Sequence, residues 1–200
     1  MKAAVSTTPG KALARVPRGS FVRVSELPGT LAAKNSAVSR AHKAGELIAV
    51  RKGLYFKGVK TRYGMTRPSA EEIAAEVLGR TGVGPTGYSA ARALGLTNQV
   101  PREPSLAVAG PVPTSVPGVK IARRNNMNRR ALRYTEIALL ELLRGDWETT
   151  VDEGWPALVS AYREGSESRT LRPHALREAI ATERSPRARM NFERLTAAAA

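Results

Sequence analysis

Residues 34–57 constrain the fold more than any other stretch of this 200-residue chain. Lys34-Asn-Ser-Ala-Val-Ser-Arg-Ala-His-Lys-Ala-Gly45 runs directly into Glu46-Leu-Ile-Ala-Val-Arg-Lys-Gly-Leu-Tyr-Phe-Lys57. On a helix at about 100° per residue, Ala37, Val38, Ala41 and Ala44 share one small apolar face. Ser36, Ser39 and Lys43 lie opposite, flanked by Asn35, Arg40 and His42. Gly45 stands where a C-terminal cap belongs. The β-prone runs 47–50 and 54–56 then flank Arg51-Lys52-Gly53, and the glycine supplies the positive φ of a tight hairpin turn.

A basic helix followed by a basic hairpin predicts a winged helix-turn-helix. The helix enters a DNA major groove and the hairpin rests on the neighbouring backbone. The chemistry suits that use. Arg and Lys bind guanine edges or phosphates, Asn pairs with adenine, and Ser accepts either. Ser36, Ser39, Arg40 and Lys43, with Asn35, are the expected base or phosphate contacts. Lys34, Arg51, Lys52 and Lys57 are the expected backbone contacts. His42 has no acidic partner nearby in sequence and is assigned no chemistry.

The charge distribution agrees. The net charge is +15. Residues 1–67 hold 14 Lys/Arg against 2 Asp/Glu, whereas residues 68–200 hold 18 against 15. The first third therefore carries +12 and the rest only +3. Solubility alone does not require such concentration, and a polyanionic partner does. Nucleic acid is the first expectation and an acidic membrane surface the second.

Upstream, Ala12, Leu13 and Val16 recur at helical spacing until Pro17-Arg-Gly-Ser20 stops them. Phe21–Val24 is β-prone, and Ser25-Glu-Leu27 offers one helical turn before Pro28-Gly29. The expected division is a DNA-binding domain over 1–62 and a second domain over 63–200.

In that second part Tyr63–Pro68 reads as a linker, and Ser69-Ala-Glu-Glu72 as a capping box opening a helix with Ile73, Ala74, Val77 and Leu78 on its apolar stripe. Thr81-Gly-Val-Gly-Pro-Thr-Gly87 is turn-rich. It lacks the Gly-Lys-Ser/Thr of a phosphate loop and the distal acid of a dinucleotide site, so it reads as a junction before a helix over 88–94. Strands are expected over 105–109 and 119–122, with a proline-rich non-helical connection over 110–118. Residues 135–144 predict a largely buried helix. Further helices are expected over 155–162, 173–183 and 186–195; the last two mix both charges and read as a surface-exposed packing unit. Residues 197–200 and the first few residues read as frayed ends. The fold class is α+β, mainly helical, with helices around a small sheet in the second domain.

A candidate second basic patch comprises Lys120, Arg123, Arg124, Arg129, Arg130 and Arg133, a run without an acid. It reads equally as a second DNA contact, a solvated loop, or a surface that meets a protein partner.

Catalysis is not expected. The chain has two histidines and no cysteine, which excludes thiolate metal sites, cysteine nucleophiles and disulfides and suits a reducing cytoplasm. It has no Gly-x-Ser-x-Gly elbow and no His-Glu-x-x-His. Glu71-Glu72 and Asp152-Glu153 are explained by helix starts, where the macrodipole favours acids. No metal and no cofactor is implied. No segment has the length of a membrane span, and the N-terminus lacks the apolar core of a signal peptide. A cytoplasmic protein without a membrane partner is the expectation.

Ser36-Ala-Val-Ser-Arg-Ala41, Gly45-Glu-Leu-Ile48 and Arg51-Lys-Gly-Leu-Tyr55 resemble the winged-helix end of AbiEi-like antitoxins of AbiE-type toxin–antitoxin systems. Pro85–Pro101 is similar to the segment after the wing in that family, and the likeness spans roughly residues 10–145. The resemblance implies an antitoxin that neutralises a nucleotidyltransferase-like toxin, binds repeats in its own promoter and represses its operon. It leaves open the oligomeric state, including a monomer that assembles on DNA. Two alternatives remain beside it: a stand-alone winged-helix repressor, and a toxin-masking module with little DNA role. An RNA-binding protein ranks last, because the chain lacks the aromatic platform of single-strand readers.

Overall fold

The computed structural model describes residues 8–112, 116–145 and 147–200. The expected frayed N-terminus, up to residue 7, and the middle of the proline-rich connection, 113–115, lie outside the described residues. The chain divides into two compact units, Met1–Ile73 and Ala74–Ala200. Helices and small sheets mix in an α+β fold with helix predominating.

The first unit opens with α1 (Pro9–Arg15), whose N-cap Thr8 accepts from the Lys11 amide. Strand β1 (Ser20–Arg23) leads through a 3₁₀ turn, Val24–Glu26, into α2 (Leu31–Lys43). Strands β2 (Ile48–Arg51) and β3 (Leu54–Lys57) follow, and the sheet order is β1-β3-β2, antiparallel throughout. Alternation decides which side chains go inside: Val22, Leu54 and Phe56 are buried. Phe21 pairs with Phe56 across the sheet, ring centroids 5.1 Å apart. Leu13, Val22, Val24, Leu27, Ala37, Val38 and Leu47 form one small core, with Tyr55 packed on it.

Two expectations are corrected here. The segment 63–68 is no bare linker: β4 (Lys60–Thr61) and β5 (Gly64–Met65) form a second hairpin with Arg62 and Tyr63 at its tip. Ala44 is exposed, because the helix ends at Lys43 and the chain turns away at Ala44.

Helix α3 (Ala70–Leu78) starts with the expected capping box. Ser69 Oγ accepts from the Glu72 amide (3.1 Å) and Glu72 Oε2 from the Ser69 amide (2.7 Å). The second unit continues with β6 (Val83–Pro85), α4 (Gly87–Ala93), β7 (Ser105–Ala109) and β8 (Lys120–Arg124). The turn-rich stretch 81–87 thus contains a buried strand, paired antiparallel to β7, while β8 joins β7 in parallel. Its glycine has a packing reason. A methyl group on Gly84 would fall 2.5 Å from Ile137 Cβ and 2.6 Å from the Tyr134 carbonyl oxygen.

Those two residues belong to α5 (Tyr134–Arg144), which is buried along nearly its whole length. Around it stand α6 (Trp147–Thr150), α7 (Gly154–Glu167), α8 (Pro173–Ala181) and α9 (Pro186–Ala199). The charge-mixed helices are not merely a surface unit: Leu176, Ala179 and Ile180 of α8, and Ala188, Phe192 and Leu195 of α9, enter the same core as α5. Helix α9 also runs on through Ala199 instead of fraying at 197. Asn191 on α9 is buried, and its amide donates to the Leu143 carbonyl at the end of α5 (2.8 Å). Among the described residues no helix is long and apolar enough to cross a membrane.

Candidate nucleic-acid interface

Helix α2 begins three residues earlier than its apolar periodicity suggests, because Thr30 caps it and its hydroxyl accepts from the Ala33 amide (3.3 Å). It ends in a Schellman arrangement: the Glu46 amide donates to the Ala41 carbonyl (2.9 Å) and the Gly45 amide to the His42 carbonyl (3.0 Å). Gly45 takes φ +69°, the left-handed value that this ending requires. His42 Nδ1 donates to the Leu47 carbonyl (2.9 Å) and its ring packs against Tyr55, so His42 ties the helix end to the hairpin.

With Ala37 and Val38 buried, the outward stripe of α2 is Ala32, Ser36, Ser39, Arg40 and Lys43, all exposed and none acidic. Asn35 is exposed beside it. Ala32 is an addition that sequence periodicity missed; the Thr30 cap after Pro28-Gly29 was the signal for it. Lys34 departs from the expectation. It lies off the stripe, half-buried, and its Nζ donates to the Ser25 carbonyl (2.9 Å), fastening the 3₁₀ turn to the helix.

The β2–β3 hairpin turns at Lys52-Gly53, with Gly53 at φ +77° and a bulge between Ala49 and Arg51. Bulges sharpen local twist and redirect side chains. Arg51 and Lys52 occupy the tip, Lys52 exposed. The tip is fixed: the Val24 amide donates to the Gly53 carbonyl (3.0 Å). The 3₁₀ turn therefore holds both the hairpin tip, through Val24, and α2, through Ser25. The second hairpin adds Lys60, Arg62 and Tyr63, all exposed, with the Arg62 guanidinium 4.6 Å from the Tyr63 ring centroid.

Lys57 is a correction. Its Nζ donates to the carbonyls of Leu13 (2.8 Å), Ala14 (3.1 Å) and Val16 (2.9 Å). An ammonium has three donors, and all are committed to the C-terminal end of α1, where the helix dipole also favours a cation. Lys57 holds the first unit together and has nothing left for a phosphate.

The candidate second patch dissolves in the same way. Arg129 is 1% exposed and lies between two buried carboxylates. Its Nη1 makes a short contact with Glu141 Oε1, and its Nε donates to Glu183 Oε2 (2.8 Å). Arg124 grips Glu141 with two bonds (2.9 and 2.6 Å), and Arg144 Nη1 donates to Glu183 Oε1 (2.7 Å). Arg133 Nη1 donates to the Arg169 carbonyl (2.7 Å), and Lys120 lies 3.5 Å from Glu103. Only Arg123 and Arg130 of the six are exposed without an ion pair or side-chain hydrogen bond among the described residues, and Arg130 lies against Gly110. The run is mostly structural. Burial raises the Glu141 pKa, but the Arg124 hydrogen bonds and the Arg129 charge outweigh it and hold the group below the ordinary glutamate value. Glu183 is likewise held low, against its burial, by Arg129 and then Asn126 and Arg144. A separate pair, Arg172 on Glu136, does the same with help from the Arg133 amide.

The chain belongs to DUF6088, a family of unknown function, whose profile matches residues 10–131. The crystal structure of the Rv2827c protein from Mycobacterium tuberculosis is similar, with a TM-score of 0.53 at 14% identity, over 95% of this chain and 75% of that one. At that identity the likeness shows a shared fold. No curated protein matches the sequence.

Proposed function

We propose that the first unit is a winged helix-turn-helix that grips duplex DNA, and that the protein acts as a repressor. The single observation behind this reading is the acid-free stripe Ser36, Ser39, Arg40 and Lys43 on α2, with the Arg51-Lys52 tip braced through the same 3₁₀ turn that braces the helix. A helix about 10–12 Å across fits a B-form major groove. The small residue Ala32 lets the start of the helix approach base edges, where recognition helices read sequence. Lys52, with the half-buried Arg51, is placed to meet the flanking phosphates.

The antitoxin role rests on the resemblance of residues 36–55 and 85–101 to AbiEi-like antitoxins. In that role the protein neutralises a nucleotidyltransferase-like toxin and represses its own promoter, with the second unit available for the toxin. The chain's part is binding; no catalytic step is assigned to it.

A gel-shift series with the DNA upstream of the protein's own gene tests the reading. The parent chain shifts that DNA in preference to unrelated duplex and to tRNA. Ser39→Ala and Arg40→Ala change the ranking of sequences, at about 1–3 kcal/mol for a specific base contact. Unchanged ranking with both variants contradicts the assignment of α2 as the reading helix.

A further inference from the structure

The second unit carries a recess whose charge is not balanced by its own acids. It has a volume of about 380 Å³ and is lined by Arg123, Arg124, Arg144, Arg184, Glu183, Met127 and the asparagines 125, 126 and 128. Arg129 stands behind it, fully buried. Arg124, Arg129 and Arg144 meet two carboxylates, Glu141 and Glu183, and the unpaired Arg123 and Arg184 bring the guanidinium groups around the recess to five. The carboxylates are saturated. Glu141 takes both bonds of Arg124 and one from Arg129; Glu183 takes Arg129, Arg144 and the Asn126 amide. Arg123 and Arg184 are exposed at the rim and have no ion pair among the described residues. Three positive charges are left over around a concave space.

We propose that this recess binds a small phosphorylated anion of nucleotide size. Three arguments support that class of ligand. Guanidinium groups match phosphate oxygens in bidentate geometry, and an excess of three charges suits a multiply charged group over a single carboxylate. The volume lies within the ordinary range of small-ligand pockets, about 300–1,000 Å³. The recess is also preorganised: Arg124 and Arg144 are held in place by the buried carboxylates, so little side-chain freedom is lost on binding. A DNA duplex presents its phosphates along an outer ridge, and a recess of this size favours a small ion over that ridge. The proposal is independent of the DNA-binding reading of the first unit.

Calorimetric titration of the full chain with inorganic phosphate, pyrophosphate and ADP at physiological salt tests it. Saturable binding of pyrophosphate or ADP is expected. The double variant Arg123→Ala, Arg184→Ala weakens it by about a hundredfold, tenfold or more for each lost charged contact, with an unchanged urea-unfolding curve because both residues stand on the rim. The variant Arg51→Ala, Lys52→Ala weakens DNA binding and leaves ADP binding as in the parent. Absence of saturable binding to all three anions overturns the proposal. So does equal affinity in the rim variant, or a rim variant that loses duplex DNA binding while no small anion binds the parent.

Discussion

Arg129 shows what one buried charge does in this protein. Its guanidinium joins Glu141 on α5 to Glu183 after α8, residues 12 and 54 positions away. Removing it leaves Glu141 with Arg124 alone and Glu183 with Arg144 and Asn126, and takes the shared cation out from between the two buried carboxylates. Breaking a buried pair in this way costs about 3–5 kcal/mol, so Arg129→Ala should lower the urea midpoint of the second unit sharply. Tryptophan fluorescence reads that transition cleanly, since the chain's two tryptophans, 147 and 155, both lie in this unit. Lys57 is the counterpart in the first unit. Lys57→Met leaves three carbonyls at the end of α1 without their charged donor, and a loss of about 1–3 kcal/mol follows. Far-UV circular dichroism should show it, with DNA affinity retained at temperatures where the unit stays folded. Neither role was legible in the sequence. Arg129 sits in a run of cations with no acid nearby, and Lys57 follows a strand as a wing lysine would. Their partners are distant in sequence, and in Lys57's case are backbone carbonyls that any residue carries.

At the level of elements, sequence periodicity carried much further. The helix over 34–43, the hairpin around Gly53, the capping box at Ser69 and the buried helix over 135–144 were all visible as patterns of period 3.6 or 2 with their punctuation. The stripe on α2 was visible too, because an outward face needs no knowledge of what lies behind it. Hairpin β4–β5 and strand β6 were hidden for physical reasons. Hairpin β4–β5 has strands of two residues, too short for any period. Strand β6 contains two glycines or prolines in three residues, and its identity comes from tertiary contact: Gly84 is there because α5 passes within touching distance. Gly84→Val should therefore separate β6 from α5 and destabilise the second unit by about 1–3 kcal/mol or more, again read by tryptophan fluorescence in urea.

For the molecule as a whole, the two halves use charge differently. In the first unit most cations face outward, Lys34 and Lys57 excepted, and in the second Arg124, Arg129, Arg144 and Arg172 neutralise buried glutamates. The consequence is a specific acid sensitivity. Glu136, Glu141 and Glu183 have folded pKa values below the ordinary 4.5. Groups depressed on folding stabilise the native state above the unfolded pKa and lose that contribution as pH falls through the folded one. The second unit should hold its stability from neutral pH down to about 4.5 and lose it progressively below, seen as a falling thermal midpoint of tryptophan fluorescence. A midpoint that is flat or rises from pH 5 to pH 3 contradicts the role of these pairs. The outward cations of the first unit give the opposite kind of prediction, a dependence of binding on salt with little effect on stability.

That salt dependence tests the central claim most directly. Fluorescence anisotropy of a labelled promoter duplex, titrated with the parent chain and with the Arg51→Ala, Lys52→Ala variant across a salt series, yields the slope of log affinity against log salt. Each phosphate contact contributes about 0.9 to that slope on B-form DNA. The variant should bind all duplexes more weakly, with a slope shallower by roughly 1.8 for its two lost contacts, at an unchanged melting temperature. Identical slope and affinity for the two chains would contradict the placing of DNA on this helix and hairpin.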